Sequence, residues 1–242
     1  MYYLSFDVAN KSLATSFIFY DLSPEYIQNF NNIRLKNTHP EKEQSNNKVI
    51  TTYDQILQLT CDNIIKLNTI INNKMEYLYY DVKDLIPGKK VKDTDIIERS
   101  KNLKKYMEEL KLIVNKTILE KNINKIYILI EYQLSSNYNA NAIYNQIIYE
   151  FSESNTNLYE ITIMNPSYKN KIYFKKELRH SFFIQKYSNN YIANKNHTKS
   201  NFLYFLKLFN LNHILVNIKS KNIDDLADSF MQIFAFIKFI QK

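Results

Sequence analysis

Apolar residues crowd the first positions, "MYYLSFDV", and return in "LATSFIFY" (13–20) after the polar turn "ANKS". Two Tyr/Phe/Leu-rich runs so close together predict a strand hairpin. Polar positions dominate 21–52, with Asn runs, Pro24 and Pro40, and predict irregular structure. Over 53–71, "YDQILQLTCDNIIKLNTII" repeats apolar residues at helical spacing. "MEYLYYDVKDLIP" (75–87) reads as a further strand, stopped by Pro87 and Gly88. The clearest helix spans 93–121, where Ile96, Leu103, Leu110, Ile113, Val114 and Ile118 recur at turn spacing between charges.

The second half alternates. "KIYILIEYQ" (125–133) is a nearly continuous apolar run, as expected of a strand covered on both faces. A helix follows at 138–153, then a strand, "LYEITIMNP" (158–166), closed by Pro166. Residues 167–197 are basic with Tyr, Phe and Asn interleaved, and are expected to form an extended loop. Helical pattern resumes over 198–210, and a last helix starts near Asn222. This order predicts an α/β domain spanning 1–242: a mixed sheet with helices packed on it, interrupted by an insertion at 21–74.

Composition removes several functions. The single glycine, Gly88, leaves no phosphate-cradling loop and no dinucleotide fingerprint, so no nucleotide cofactor is expected. Cys61 is the only cysteine, which excludes an internal disulfide and a cysteine zinc site and fits a reducing compartment. No leader pattern or membrane-spanning run is visible, so an intracellular protein without a membrane partner is expected. His39, His180, His197 and His213 show no metal-ligand spacing. A net charge of +8 favours a polyanionic partner, although lysine-rich coding would produce the same surplus.

The candidate chemistry lies in carboxylates. In "NIDDLADSF" (222–230), helical spacing gathers Ile223, Leu226, Ala227 and Phe230 on one side. Asp225 and Asp228 project together from the other, with Asp224 on the flank. Such aspartates either complement a helix N-terminus or hold a cation. Asp7 and Glu131 each end an otherwise apolar strand, where a carboxylate is costly unless it is paired or metal-bound. If those strands are parallel neighbours and the last helix crosses them, four carboxylates meet with no lysine nearby. Mg²⁺ or Mn²⁺ suits hard oxygen donors, and two such ions can clamp a phosphodiester.

Asp on the first strand, Glu on the fourth and D-x-x-D on the last helix resemble the RuvC-type Holliday junction resolvases of the RNase H-like superfamily, those of poxviruses above all. "LSFDVANKS", "ILIEYQ", "ITIMNPSYKNK" and "IDDLADSF" carry the resemblance. Ala9 departs from it, standing where the family usually has glycine.

The resemblance implies an RNase H-like mixed five-stranded sheet flanked by helices. It also implies Asp7, Glu131, Asp225 and Asp228 as catalytic metal ligands, with branched DNA as the substrate and a homodimer as the assembly. Water would attack in line, leaving a 5′-phosphate and a 3′-hydroxyl. Lys199 is placed like a basic residue that precedes a family helix and would contact the scissile phosphate or steady the nucleophile, or else is a solvated lysine at a helix start. Gln133 either positions Glu131 or touches DNA, and Lys11, Lys169, Lys171, Lys175, Lys176 and Arg179 are candidate DNA contacts. Action at sites of viral DNA replication, in cytoplasm or nucleus, is a further implication. The alternatives are a nuclease of the same fold acting on hybrids or flaps, and a non-catalytic nucleic-acid-binding protein whose aspartates are helix caps.

Overall fold

The computed structural model describes residues 1–20, 75–153, 157–174, 176–208 and 211–239. The loop expected at 21–52, the helix expected at 53–71 and the insertion at 21–74 lie outside the described residues, as does Lys175.

Five strands form one sheet: β1 (Tyr2–Val8), β2 (Ser12–Tyr20), β3 (Met75–Asp84), β4 (Ile126–Glu131) and β5 (Tyr159–Met164). Their order is β3-β2-β1-β4-β5. The β1–β2 and β2–β3 pairs are antiparallel, while β1, β4 and β5 run parallel, so the sheet is mixed as expected of an RNase H-like fold. The hairpin needs no glycine at Ala9. Among the described residues only Asn122 and Gly88 have positive φ, and the Ala9 N–H donates to the Ser12 carbonyl at 3.0 Å.

Strand alternation assigns the two faces. Leu4, Phe6 and Val8 of β1, with Ile126, Ile128 and Ile130 of β4, pack under α1 (Ile96–Lys121) and α2 (Tyr138–Ser152). Tyr3 and Leu129 face the opposite layer, formed by α4 (Asn190–Leu208) and α5 (Ile223–Phe239), with the short α3 (His180–Lys186) against α4. Asp7 and Glu131 follow the same alternation onto the α5 side. No helix among the described residues is long and apolar enough to cross a membrane.

Leu226 through Lys238 of the final helix are buried, because α5 lies between the sheet and α4. Phe230 stacks on Tyr77 of β3 at 5.7 Å, and Phe234 packs on Phe205 of α4 at 4.8 Å. Small residues bring the helix close to the sheet, where the Ser16 and Ser229 hydroxyls are 2.7 Å apart.

One expectation is corrected: 167–197 is not an extended loop. It holds a 3₁₀ turn at Pro166–Lys171, a second at Lys176–Leu178, α3, and the first half of α4, which starts at Asn190 rather than near 198. Backbone accounting explains the order. Asn201 accepts from the Phe174 N–H at 2.9 Å and donates to the carbonyls of Leu178 and His197, binding this segment to α4.

Candidate active site

The parallel pairing of β1 with β4 sets Phe6 beside Ile130, so the next residues, Asp7 and Glu131, end adjacent strands on one face. The N-terminal turns of α5 lie over those strand ends and bring Asp225 and Asp228 to them. All four carboxylates line one cleft of about 360 Å³. Asp7 and Asp228 are almost wholly buried.

Two lysines complete the group, against the expectation that none would be near. Lys169 is buried, not exposed to DNA as a loop residue. Its ammonium contacts Glu131 Oε2 and lies 3.7 Å from Asp7 Oδ1 and 3.4 Å from Asp228 Oδ1. Lys195, on α4, bonds Asp228 Oδ2 at 2.5 Å and Asp225 Oδ1 at 3.2 Å. Ser12 donates to the other Asp225 oxygen, at 3.1 Å.

Gln232, one turn beyond Asp228, uses a single amide nitrogen for two acceptors: the Phe6 carbonyl at 3.2 Å and Glu131 Oε2 at 3.4 Å. That amide ties β1, β4 and α5 together at the cleft floor. Its own oxygen is buried without a partner among the described residues.

The charges respond to burial and to one another. Burial pushes the Asp7 carboxyl well above the ordinary range, with Lys169 opposing and Glu131 and Asp228 adding to the rise. Burial also raises Asp228, but Lys169 and Lys195, with hydrogen bonds from Lys195 and Thr198, outweigh it and hold the carboxyl below its usual value. Burial works against both ammonium groups. Asp228, Glu131 and Asp7 overcome it at Lys169, and Asp228 leads at Lys195, so both lysines stay protonated more firmly than usual.

The remaining candidates fall elsewhere. Lys199 pairs with Asp224 at 2.9 Å, and neither lines the cleft; Lys195, one turn earlier on the same helix, takes the place expected of Lys199. Gln133 donates to the Glu131 main-chain oxygen at 3.4 Å and supports the strand end, not the carboxylate. Lys11 pairs with Asp84 at 3.5 Å beside a separate hollow. Lys171 lies over Tyr168, and the Arg179 guanidinium over Tyr173. Lys176 opens the second 3₁₀ turn.

The turn that carries Lys169 and the start of the helix that carries Lys195 do leave signals in the sequence. "NPS" after β5 is a cap followed by proline: Asn165 accepts from the Ser167 N–H at 2.9 Å, and Lys169 follows within that 3₁₀ turn. Asn189 accepts from the N–H groups of Tyr191 and Ile192 and marks the true start of α4.

Hard carboxylate oxygens suit a divalent cation, and four carboxylates with two ammonium groups carry a formal charge of −2, which one such ion balances. With the ammonium groups between the oxygens, however, no three acidic groups among the described residues are gathered ready to hold a metal. The donors fit in chemistry, provided Lys169 or Lys195 swings aside.

No family model and no curated protein matches this chain. Among solved structures, Fowlpox virus resolvase in complex with substrate Holliday junction DNA shares 14% identity, with 100% of each chain covered and a TM-score of 0.45.

Proposed function

We propose that this protein is a Mg²⁺- or Mn²⁺-dependent endonuclease that hydrolyses phosphodiester bonds in branched DNA, four-way junctions foremost. The observation that carries the reading is the meeting, in one cleft, of Asp7, Glu131, Asp225 and Asp228 from two strands and a distant helix, together with two lysines. Burying so many carboxylates is costly, and a fold retains them where their charge is used.

Asp7, Glu131, Asp225 and Asp228 would hold the cation. Bound there, it supplies charge stabilisation to the attacking and leaving oxygens of the phosphodiester. The lysines keep their protons at neutral pH, so they serve as positive charges rather than bases. Drawn toward a phosphate, they would neutralise its non-bridging oxygens and free carboxylate oxygens for the cation. Gln232 holds Glu131 Oε2, leaving Oε1 for the cleft. A four-way junction has near two-fold symmetry and needs paired nicks, so the working form is proposed to be a homodimer with one cleft per subunit.

Purified protein incubated with a labelled four-way junction and Mg²⁺ or Mn²⁺ should produce paired nicks bearing 5′-phosphates. An uncut junction with either ion would overturn the reading. Preference for hybrid or flap competitors would replace the junction by another substrate of the same chemistry.

Gln232→Met keeps the side-chain volume and removes both hydrogen bonds and the orphaned carbonyl. Stability should therefore change by less than about 1.5 kcal/mol. Mn²⁺ affinity, measured by titration calorimetry, should fall roughly 10–100-fold, as when the support of a metal ligand is lost. Unchanged affinity would remove Gln232 from the positioning of Glu131.

A further inference from the structure

We propose that Tyr191 forms a stacking subsite for an unpaired nucleobase beside the phosphate held in the cleft, which makes the site selective for strands whose bases have left the duplex. This rests on the nuclease reading above and names the feature of the substrate that the cleft recognises.

One face of α4 carries the evidence. Tyr191, Asn194, Lys195 and Thr198 all line the cleft, and their spacing of i, i+3, i+4 and i+7 places them on a single helical stripe. Its inner members are engaged: Lys195 on Asp225 and Asp228, and Asn194 with the His180 ring nitrogen at 2.6 Å. Tyr191 ends the stripe on the solvent side. It is 69% exposed, and it is the only aromatic residue among the described residues lining this cleft.

The exposed ring stands on a fixed base. Asn189 accepts from the Tyr191 N–H at 2.8 Å and from the Ile192 N–H at 3.3 Å, which pins the first turn of the helix. Four residues of helix rise separate Tyr191 from Lys195 by about 6 Å along the axis. A base attached to a phosphate at Lys195 is therefore within the ring's reach. Every base offers a π-face, so this contact tolerates sequence. Within a duplex both faces of a base are already stacked on its neighbours. Only a base at a branch, flap or single strand has a face to offer Tyr191.

The test uses full-length protein in cation-free buffer, where DNA is bound and not cut. Affinity is measured for a four-way junction, a single strand and a plain duplex, with 2-aminopurine at the branch point reporting stacking. Tyr191→Ala should weaken binding to the junction and the single strand roughly tenfold and abolish the 2-aminopurine response, leaving duplex affinity within about twofold. Tyr191→Phe should behave as wild type, since the ring and not the hydroxyl stacks. Equal losses on duplex and junction, no loss on either, or a Phe variant as poor as the Ala variant would each overturn the subsite. The Mn²⁺-induced rise in thermal stability should be the same in all three proteins, so loss of the subsite is distinguishable from loss of the cation site. Wild-type protein that binds no branched DNA would instead remove the nuclease reading itself.

Discussion

Asp7→Asn protein should bind a four-way junction and leave it uncut. Cation-borne stabilisation of a phosphodiester transition state amounts to several kcal/mol, so losing one of its ligands should lower the cleavage rate on the order of 10³-fold. Single-turnover cleavage with saturating Mg²⁺ measures this loss directly. Cleavage by the variant within tenfold of wild type would show that Asp7 is no ligand. The fold should tolerate the change. Burial raises the Asp7 pKa above its ordinary value of 3.8, so the folded protein retains the proton to higher pH than the unfolded chain does. Stability contributed by this group is therefore present below pH 3.8 and is lost as pH rises through the raised folded value. Without divalent cation, wild type should lose stability relative to Asp7→Asn as pH rises across that window. Urea denaturation of both proteins at several pH values gives the difference, and a trend of opposite sign would show that Lys169 outweighs burial at Asp7.

Much of this cleft is legible in the amino-acid sequence, for reasons tied to particular residues. Asp7 and Glu131 stand out because each interrupts an apolar strand at its end, where a carboxylate has no ordinary reason to be. Asp225 and Asp228 do so through helical spacing. The mixed sheet follows from the hairpin and the later alternation of strand and helix. Lys169 and Lys195 are hidden by composition: lysine within a lysine-rich stretch has no local mark that separates a buried ammonium from a solvated one. The first half of α4 is hidden by its own interior. Its buried positions are Ala193, His197 and Thr198, small or polar groups that produce no apolar stripe. His197 illustrates the cost of that interior. Burial, with His180 adding to it, lowers the imidazole pKa to about 3, so the ring is neutral in the fold and shows nothing in sequence that would distinguish it from a surface histidine. Lys199, by contrast, is conspicuous as the first basic residue of a visible helical pattern, yet it pairs with Asp224 outside the cleft.

Lys169→Met offers the second large effect, and it reads stability. Among the described residues, the Lys169 ammonium is the one positive charge in contact with Asp7, Glu131 and Asp228 alike, and its side chain is 8% exposed. Removing one partner from a buried ion cluster costs about 3–5 kcal/mol, since the largely buried carboxylates left behind gain little solvent in its place. That loss should appear in cation-free buffer. Millimolar Mg²⁺ or Mn²⁺ should then recover part of it, because the ion occupies oxygens that the ammonium had held, and the gain in Tm should exceed that of wild type. Lys199→Met is the control: its partner Asp224 is exposed to a similar degree as Lys199 itself, and an ion pair of that kind contributes less than about 1 kcal/mol. Cleavage by Lys169→Met should also fall, by roughly 10²–10³-fold, the cost of removing one preorganised charge from a developing phosphate. A Lys169→Met protein as stable as wild type without cation, and no more responsive to it, would show that the ammonium does not hold the carboxylates together and that no cation competes for its place.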